Sequence, residues 1–173
     1  MGRIMVIGVS AGVGKSTFAI RLGDILDIDV HHLDRFYWRS DWVEAPFEAF
    51  LAAQKQVLTQ DKWIMEGNYG NSIDLRLNHA ETIIYLELPL RVCLYRVVKR
   101  YLSFRGKTRP DIGEGCHEKL DWPFHKFIIT TYYSRKKKMK NRFAEIKSNE
   151  PDKVIVILDS KPKIEGYLLN RKG

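Results

Sequence analysis

Apolar residues in this chain fall into short β-branched runs, separated by longer stretches in which they recur every three or four positions. Arg3 to Ile7, Trp63 to Met65, Thr82 to Leu88 and Lys153 to Leu158 are runs of the first kind, and Ile28-Asp29-Val30 is a shorter one. Runs of this type read as buried strands. Between them Phe18, Ala19, Leu22 and Leu26 repeat with helical spacing over 16–26, and Phe47, Phe50, Leu51 and Leu58 do so after Pro46, a residue tolerated in a first helical turn. Further helices are expected over 72–77, from Pro89 to about Phe104 on a stripe of Leu90, Leu94, Val97, Val98 and Tyr101, from Pro123 to Glu145, and from Pro162 to Asn170. His31 to Trp42 reads as a polar and aromatic connection. Residues 105–121 carry three glycines, one proline and little apolar periodicity. A connection of that length without an element invites a functional reading, such as a lid.

Strands alternating with helices give an α/β fold, and parallel strands joined by helical crossovers cover both faces of so apolar a sheet. Neither a repeat nor a low-complexity linker divides the 173 residues, so a single domain with a lid insertion at about 105–121 is expected. The apolar fraction of 45% excludes a disordered chain. No apolar stretch approaches the length of a membrane helix, and the N-terminus lacks the design of a secretory signal. Cys93 and Cys116, the two cysteines, make neither a disulfide framework nor a four-ligand metal cluster. The expectation is a cytoplasmic protein, monomeric or homodimeric, without membrane association.

The first strand runs into the first helix through Gly8-Val9-Ser10-Ala11-Gly12-Val13-Gly14-Lys15-Ser16. A glycine-rich turn at this place lets consecutive N–H groups, here those from Ser10, Ala11, Gly12, Val13 and Gly14 to Thr17, converge on an anion at the positive end of a helix. Lys15 then reaches the outer phosphates of a nucleotide and the Ser16 hydroxyl a magnesium ion. The usual phosphate-loop pattern has glycine five residues before Gly14, where this chain has Val9. Gly8 stands one position upstream, so the turn opens differently or accepts another residue there.

Other candidates cluster at predicted strand ends, where an open parallel sheet gathers its ligand. Asp34 could orient an acceptor hydroxyl and take its proton, or hold magnesium through water; the alternative is a surface turn carboxylate. Glu66 could support magnesium and Tyr69 line an acceptor pocket, or the Glu66-Gly67-Asn68-Tyr69-Gly70 segment could be a structural turn. Arg76 could bind an acceptor phosphate or carboxylate, or pair on the surface with Asp74 and Glu81. Adjacent His31 and His32 lack a complementary Cys/His array for zinc.

The net charge of +8 is local: residues 91–142 hold fifteen Lys/Arg and four Asp/Glu, against fourteen and seventeen elsewhere. One half of the molecule therefore meets a polyanion, either nucleotide phosphates or nucleic acid. Arg96, Arg100, Arg105 and Arg109, with Lys107, lead into the expected lid, where guanidinium groups could steady a transferring phosphoryl group; the alternative is a solvated basic surface. Arg135 to Arg142 is a denser run, open to solvent, to a nucleotide through Arg135 or Lys138, or to nucleic acid. Trp122, Tyr132 and Tyr133 could stack bases, although helical spacing favours core packing for at least two of them.

The chain resembles the small P-loop nucleotide-kinase superfamily, and more closely the bacterial topology modulation proteins, which look like adenylate kinases. The resemblance runs through Gly12-Val13-Gly14-Lys15-Ser16-Thr17, His32-Leu33-Asp34, Glu66-Gly67-Asn68-Tyr69, Tyr85 to Pro89, Lys107-Thr108-Arg109-Pro110 and Leu120-Asp121-Trp122. It implies a three-layer P-loop α/β fold with a five-stranded parallel sheet ordered 2-3-1-4-5 and a small lid. It also implies that Gly12, Gly14, Lys15, Ser16 and Thr17 bind ATP phosphates, with Arg96 near adenine and Arg100 near phosphates. Glu66-Gly67-Asn68-Tyr69 departs from the Asp-Gly-Phe-Pro-Arg type of segment in adenylate kinases, which detaches AMP from the implied acceptor.

The expected function is ATP- and magnesium-dependent phosphoryl transfer to a small molecule, such as a nucleoside or nucleotide. Lys15, Asp34, Arg100, Arg105 and Arg109 would act on the reacting groups, Asp34, Glu66, Tyr69 and Arg76 on the acceptor, and Ser16 and Glu66 on the metal. The alternatives are a nucleic-acid-associated nucleotide-binding protein and a regulatory nucleotide-binding protein with little turnover.

Overall fold

The computed structural model describes residues 2–104, 112, 115–116 and 122–172. Strands β1 (Arg3–Gly8), β2 (Val30–His32), β5 (Trp63–Glu66), β6 (Thr82–Leu86) and β7 (Val154–Leu158) form one parallel sheet in the order β2-β5-β1-β6-β7. Numbered by their place among these five strands alone, that is the 2-3-1-4-5 order expected. Two further strands, β3 (Trp38–Arg39) and β4 (Val43–Glu44), make a separate antiparallel hairpin. Helices α1 (Lys15–Leu26), α2 (Leu33–Tyr37), α3 (Phe47–Leu58), α4 (Ile73–His79), α5 (Leu90–Phe104), α6 (Trp122–Asn149) and α7 (Lys161–Leu169) complete the three layers. No described helix is long and apolar enough to cross a membrane.

The core follows the apolar runs. Ile4, Met5, Val6 and Ile7 of the central strand are buried together with Ile64, Met65, Ile83, Ile84 and Leu86 of its neighbours. Each such side chain contributes roughly 1.5–3 kcal/mol relative to exposure. From α1, Phe18, Ala19 and Leu22 close over the sheet. The register pairs Val6 with Glu66, His32 with Glu66 and Gly8 with Leu86. His32, Glu66 and the turn after Gly8 therefore emerge along one edge.

Four elements differ from expectation. The second strand begins two residues later, because Asp27 (φ 53) ends α1 in a left-handed cap and the chain turns before it enters the sheet. The connection from His31 to Trp42 contains α2, β3 and a 3-10 turn; fully buried Leu33 and packed rings fix what local periodicity does not reveal. On α5 the buried residues are Cys93 and Val97, whereas Val98 is exposed, since the Gly12 backbone packs on Cys93 and Val97. Of Trp122, Tyr132 and Tyr133 on α6 only Tyr132 is core, donating its hydroxyl to Leu88 O at 2.8 Å; Trp122 and Tyr133 are about three-quarters exposed at 73% and 70%.

Candidate active site

The turn between β1 and α1 is built around left-handed glycines. Gly12 has φ 74, and a Cβ there would lie 2.3 Å from the Cys93 carbonyl oxygen; Gly14 has φ 101 and abuts the Arg96 guanidinium. No side chain caps α1 and its first turn holds no acid, so the positive helix end faces outward from its own sequence. Val9 fits because its side chain is buried and its N–H donates to Leu86 O at 2.9 Å. Gly8 takes the tight position instead: a Cβ there would meet Val13 Cγ1 at 2.5 Å. Arg96 donates from Nη1 to Val13 O at 2.9 Å, which braces the turn from α5.

Glu66, the last residue of β5, lies almost fully buried under this turn. Ser16 Oγ donates to its Oε2 at 3.2 Å, His32 Nδ1 lies 3.0 Å from the same oxygen, and Lys15 Nζ is 3.9 Å from Oε1. A magnesium ion keeps most of its waters and needs few protein oxygens. The Ser16 hydroxyl beside this carboxylate is a donor set of that kind. Ser10 Oγ is buried beneath the turn without a hydrogen-bond partner among the described residues. The residues present thus fit a magnesium nucleotide.

Asn68 ties the neighbouring loop to the turn by accepting the Gly8 N–H at 3.0 Å. Gly67 must be glycine, with φ 143 and the Leu33 side chain 2.8 Å from where a Cβ would stand. Tyr69 donates its hydroxyl to Asp34 Oδ1 at 2.7 Å, and burial with the adjacent Asp34 charge pushes the Tyr69 phenol upward. Arg76 departs from its expected place. It is fully buried, and donates to Gly67 O at 2.7 Å and Tyr69 O at 3.0 Å. Desolvation lowers its pKa to about 10 against the opposing charge of Glu66. Its guanidinium shapes the acceptor-side turn from below and does not reach the cavity.

A cavity of about 1090 Å³ opens over these groups. Its floor is the turn from Ala11 to Thr17. On the β2/β5 side it is walled by Asp34, Trp38, Trp42, Glu66 and Tyr69; on the β6/β7 side by Arg96, Lys99, Arg100, Arg135 and Lys161. The structure therefore brings Lys15, Ser16, Asp34, Glu66, Tyr69, Arg96 and Arg100 to one space. Arg105, Lys107 and Arg109 lie outside the described residues, as does the expected lid apart from Ile112, Gly115 and Cys116. The basic run divides: Arg135 stacks over Phe127 at 4.7 Å and lines the cavity, Lys136 pairs with Glu87 at 2.8 Å, and Arg142 pairs with Asp74. Sequence reasoning missed Asn68 and the Glu66 contact of His32. The signal available for His32 was its place at the end of a strand.

Strand order and layering define a three-layer α/β fold around a five-stranded parallel sheet, with the crevice over the turn after its central strand. Neither a protein-family model nor a curated protein matches the chain. Solved structures do. Deoxyadenosine kinase from M. mycoides with bound dATP is 17% identical with a TM-score of 0.52 and full coverage of both chains. Shikimate kinase from Aquifex aeolicus is 16% identical, TM-score 0.50, over 97% of this chain and 94% of that one. A sugar kinase from Janibacter sp. is 15% identical, TM-score 0.50, over 98% and 94%. The chain has the fold these small-molecule kinases share.

Proposed function

We propose that this protein is an ATP- and magnesium-dependent phosphotransferase acting on a small-molecule acceptor. The observation that carries the reading is the shared cavity, in which Lys15 and Ser16 on the floor face the Asp34 carboxylate on one wall and arginines on the other. The triphosphate lies in the turn from Ser10 to Thr17, with Lys15 at its outer end and Arg96 and Arg100 beside it. When bound, magnesium neutralises the phosphate oxygens; Ser16 and Glu66 are the residues that would hold it. Asp34, held by Tyr69, orients the acceptor hydroxyl and takes its proton as the acceptor oxygen bonds to the γ-phosphorus and the bond to the β,γ-bridging oxygen breaks, leaving ADP. Arg100, and Arg105 and Arg109 from the lid segment, stabilise the charge on the transferring group. The sequence resemblance to adenylate-kinase-like topology modulation proteins supports the nucleotide side of this reading, and the kinase neighbours support the transfer.

The test is a screen of acceptors that measures both ATP consumption and phosphorylated product, with K15A as control. Product from wild type and none from K15A is expected. Tight ATP binding with no product from nucleosides, nucleotides or small alcohols would overturn the reading. A second reading, a nucleic-acid-associated nucleotide-binding protein, has one observation in its favour: Trp122 and Tyr133 stand exposed on the basic helix α6. Salt-sensitive binding of single strands, without acceptor-dependent ADP, would favour it.

A further inference from the structure

The hairpin β3–β4 is strained at the residue that enters the cavity. Asp41 has φ 59 and Trp42 φ 63, two consecutive non-glycine residues in the left-handed region. For a residue as bulky as tryptophan this conformation is unfavourable and persists only where its surroundings hold it. The surroundings are a chain of rings. Trp42 meets Trp38 edge to face at 5.4 Å, Trp38 meets Tyr37 at 4.9 Å, and Tyr37 meets Tyr69 at 4.8 Å. Tyr69 meets fully buried Phe50 at 4.9 Å. Cys116 donates its thiol to Arg39 O behind the hairpin at 3.1 Å. Two indoles set nearly at right angles (70°) therefore form a fixed corner on the wall that carries Asp34.

The charge of that wall is as telling as its rings. Among the described residues the charged side chains that line it are Asp34 and Glu66; the Arg76 guanidinium is turned inward onto backbone carbonyls, and Arg35 of α2 and Arg39 of β3 do not line the cavity. A phosphorylated or carboxylated acceptor would meet like charge here. Several acceptor atoms on the wall are already engaged: Asn68 Oδ1 by the Gly8 N–H, Asp34 Oδ1 by the Tyr69 hydroxyl, and Glu66 Oε2 by Ser16 and His32. Fewer acceptors remain for the several hydroxyls of a polyol than for a single one. A flat aromatic ring stacked on one indole and met edge-on by the other, with a hydroxyl at Asp34, fits both observations.

We infer that the acceptor is an uncharged alcohol bearing a planar aromatic base, a nucleoside, and that Trp42 with Trp38 is its base platform. The inference rests on the phosphotransferase reading and extends it to substrate class. The reaction yields a nucleoside monophosphate and ADP, with the hydroxyl proton passing to the Asp34 carboxylate.

The test supplies ATP and magnesium to the intact protein with purine and pyrimidine nucleosides, nucleoside monophosphates, or non-aromatic sugars and shikimate, and identifies products by mass. Nucleosides are expected to react with kcat/KM at least about tenfold above the other classes. W42A should raise the nucleoside KM roughly ten- to a hundredfold while the ATP KM moves less than about twofold. W42F should keep most of the affinity. W42L, which retains bulk without a π face and covers the case in which the alanine variant does not fold, should lose affinity as W42A does. Preference for monophosphates or sugars, or an unchanged nucleoside KM in a folded W42L, overturns the inference and leaves the kinase reading standing. No product from any class overturns both.

Discussion

The two walls of the cavity differ in composition and in how they are held. The β6/β7 wall is basic, with Arg96, Lys99, Arg100, Arg135 and Lys161 reaching inward from three helices. The β2/β5 wall is acidic and aromatic, and its groups are locked by short contacts such as Tyr69 to Asp34 at 2.7 Å and Arg76 to Gly67 at 2.7 Å. A triphosphate brings its own charge and can be gathered by long flexible cations, whereas a neutral acceptor must be placed by shape. On the proposed function the phosphoryl donor belongs to the first wall and the acceptor to the second, with the turn from Ser10 to Thr17 between them.

The strongest way to break this division is to remove the group that serves both sides. K15A is expected to lower kcat by about a hundred- to a thousandfold, as loss of a phosphate-clamping charge does, measured in steady-state turnover. Next in size, D34N should lower kcat about a hundredfold while ATP binding by calorimetry changes little, because in the proposed reaction the carboxylate acts on the acceptor alone. An equal loss of ATP affinity would place Asp34 on the donor side instead.

Stability separates the walls as well. R76M leaves the Gly67 and Tyr69 carbonyls without their buried donor and should cost about 2–4 kcal/mol in denaturant unfolding. R96A, on the basic wall, should raise the ATP KM by about tenfold, through the loss of its brace on Val13, and leave the acceptor KM unchanged.

The smallest expected effect concerns pH. His31, at the β2 edge, has its pKa lowered from the ordinary 6.5 chiefly by burial. Below 6.5 the unfolded chain takes up a proton that the folded ring resists, so stability falls as pH drops through that window. H31Q should flatten this acid limb by less than about 1 kcal/mol, read from unfolding midpoints at pH 7 and pH 5.

The turn after β1 was marked by the sequence as a candidate, and the β2/β5 wall was not. Gly12, Gly14, Lys15 and Ser16 stand within five residues of one another, so spacing alone marks them as a phosphate-loop candidate. Even the irregular Val9 could be flagged, although only packing reveals that Gly8 takes the close approach to Val13. The strand order expected from the resemblance is the one observed. The acceptor wall is assembled from residues far apart in sequence. Nothing local shows that Arg76 turns inward onto residues 67–69, since an exposed and a buried arginine read alike until the turn it fills is built. The hairpin at 38–44 escaped notice because its strands are two residues long and its turn uses Asp41 and Trp42 where glycine or asparagine would have signalled φ above zero. On α6, helical spacing favoured core packing for at least two of Trp122, Tyr132 and Tyr133, and only Tyr132 is buried.

The measurement closest to the centre of this account is a crystal structure with magnesium and a non-hydrolysable ATP analogue. The account predicts the triphosphate within the turn from Ser10 to Thr17, its base toward the β6/β7 wall and its γ-phosphate directed at Asp34. A nucleotide seated elsewhere, or a γ-phosphate turned away from the β2/β5 wall, would contradict it.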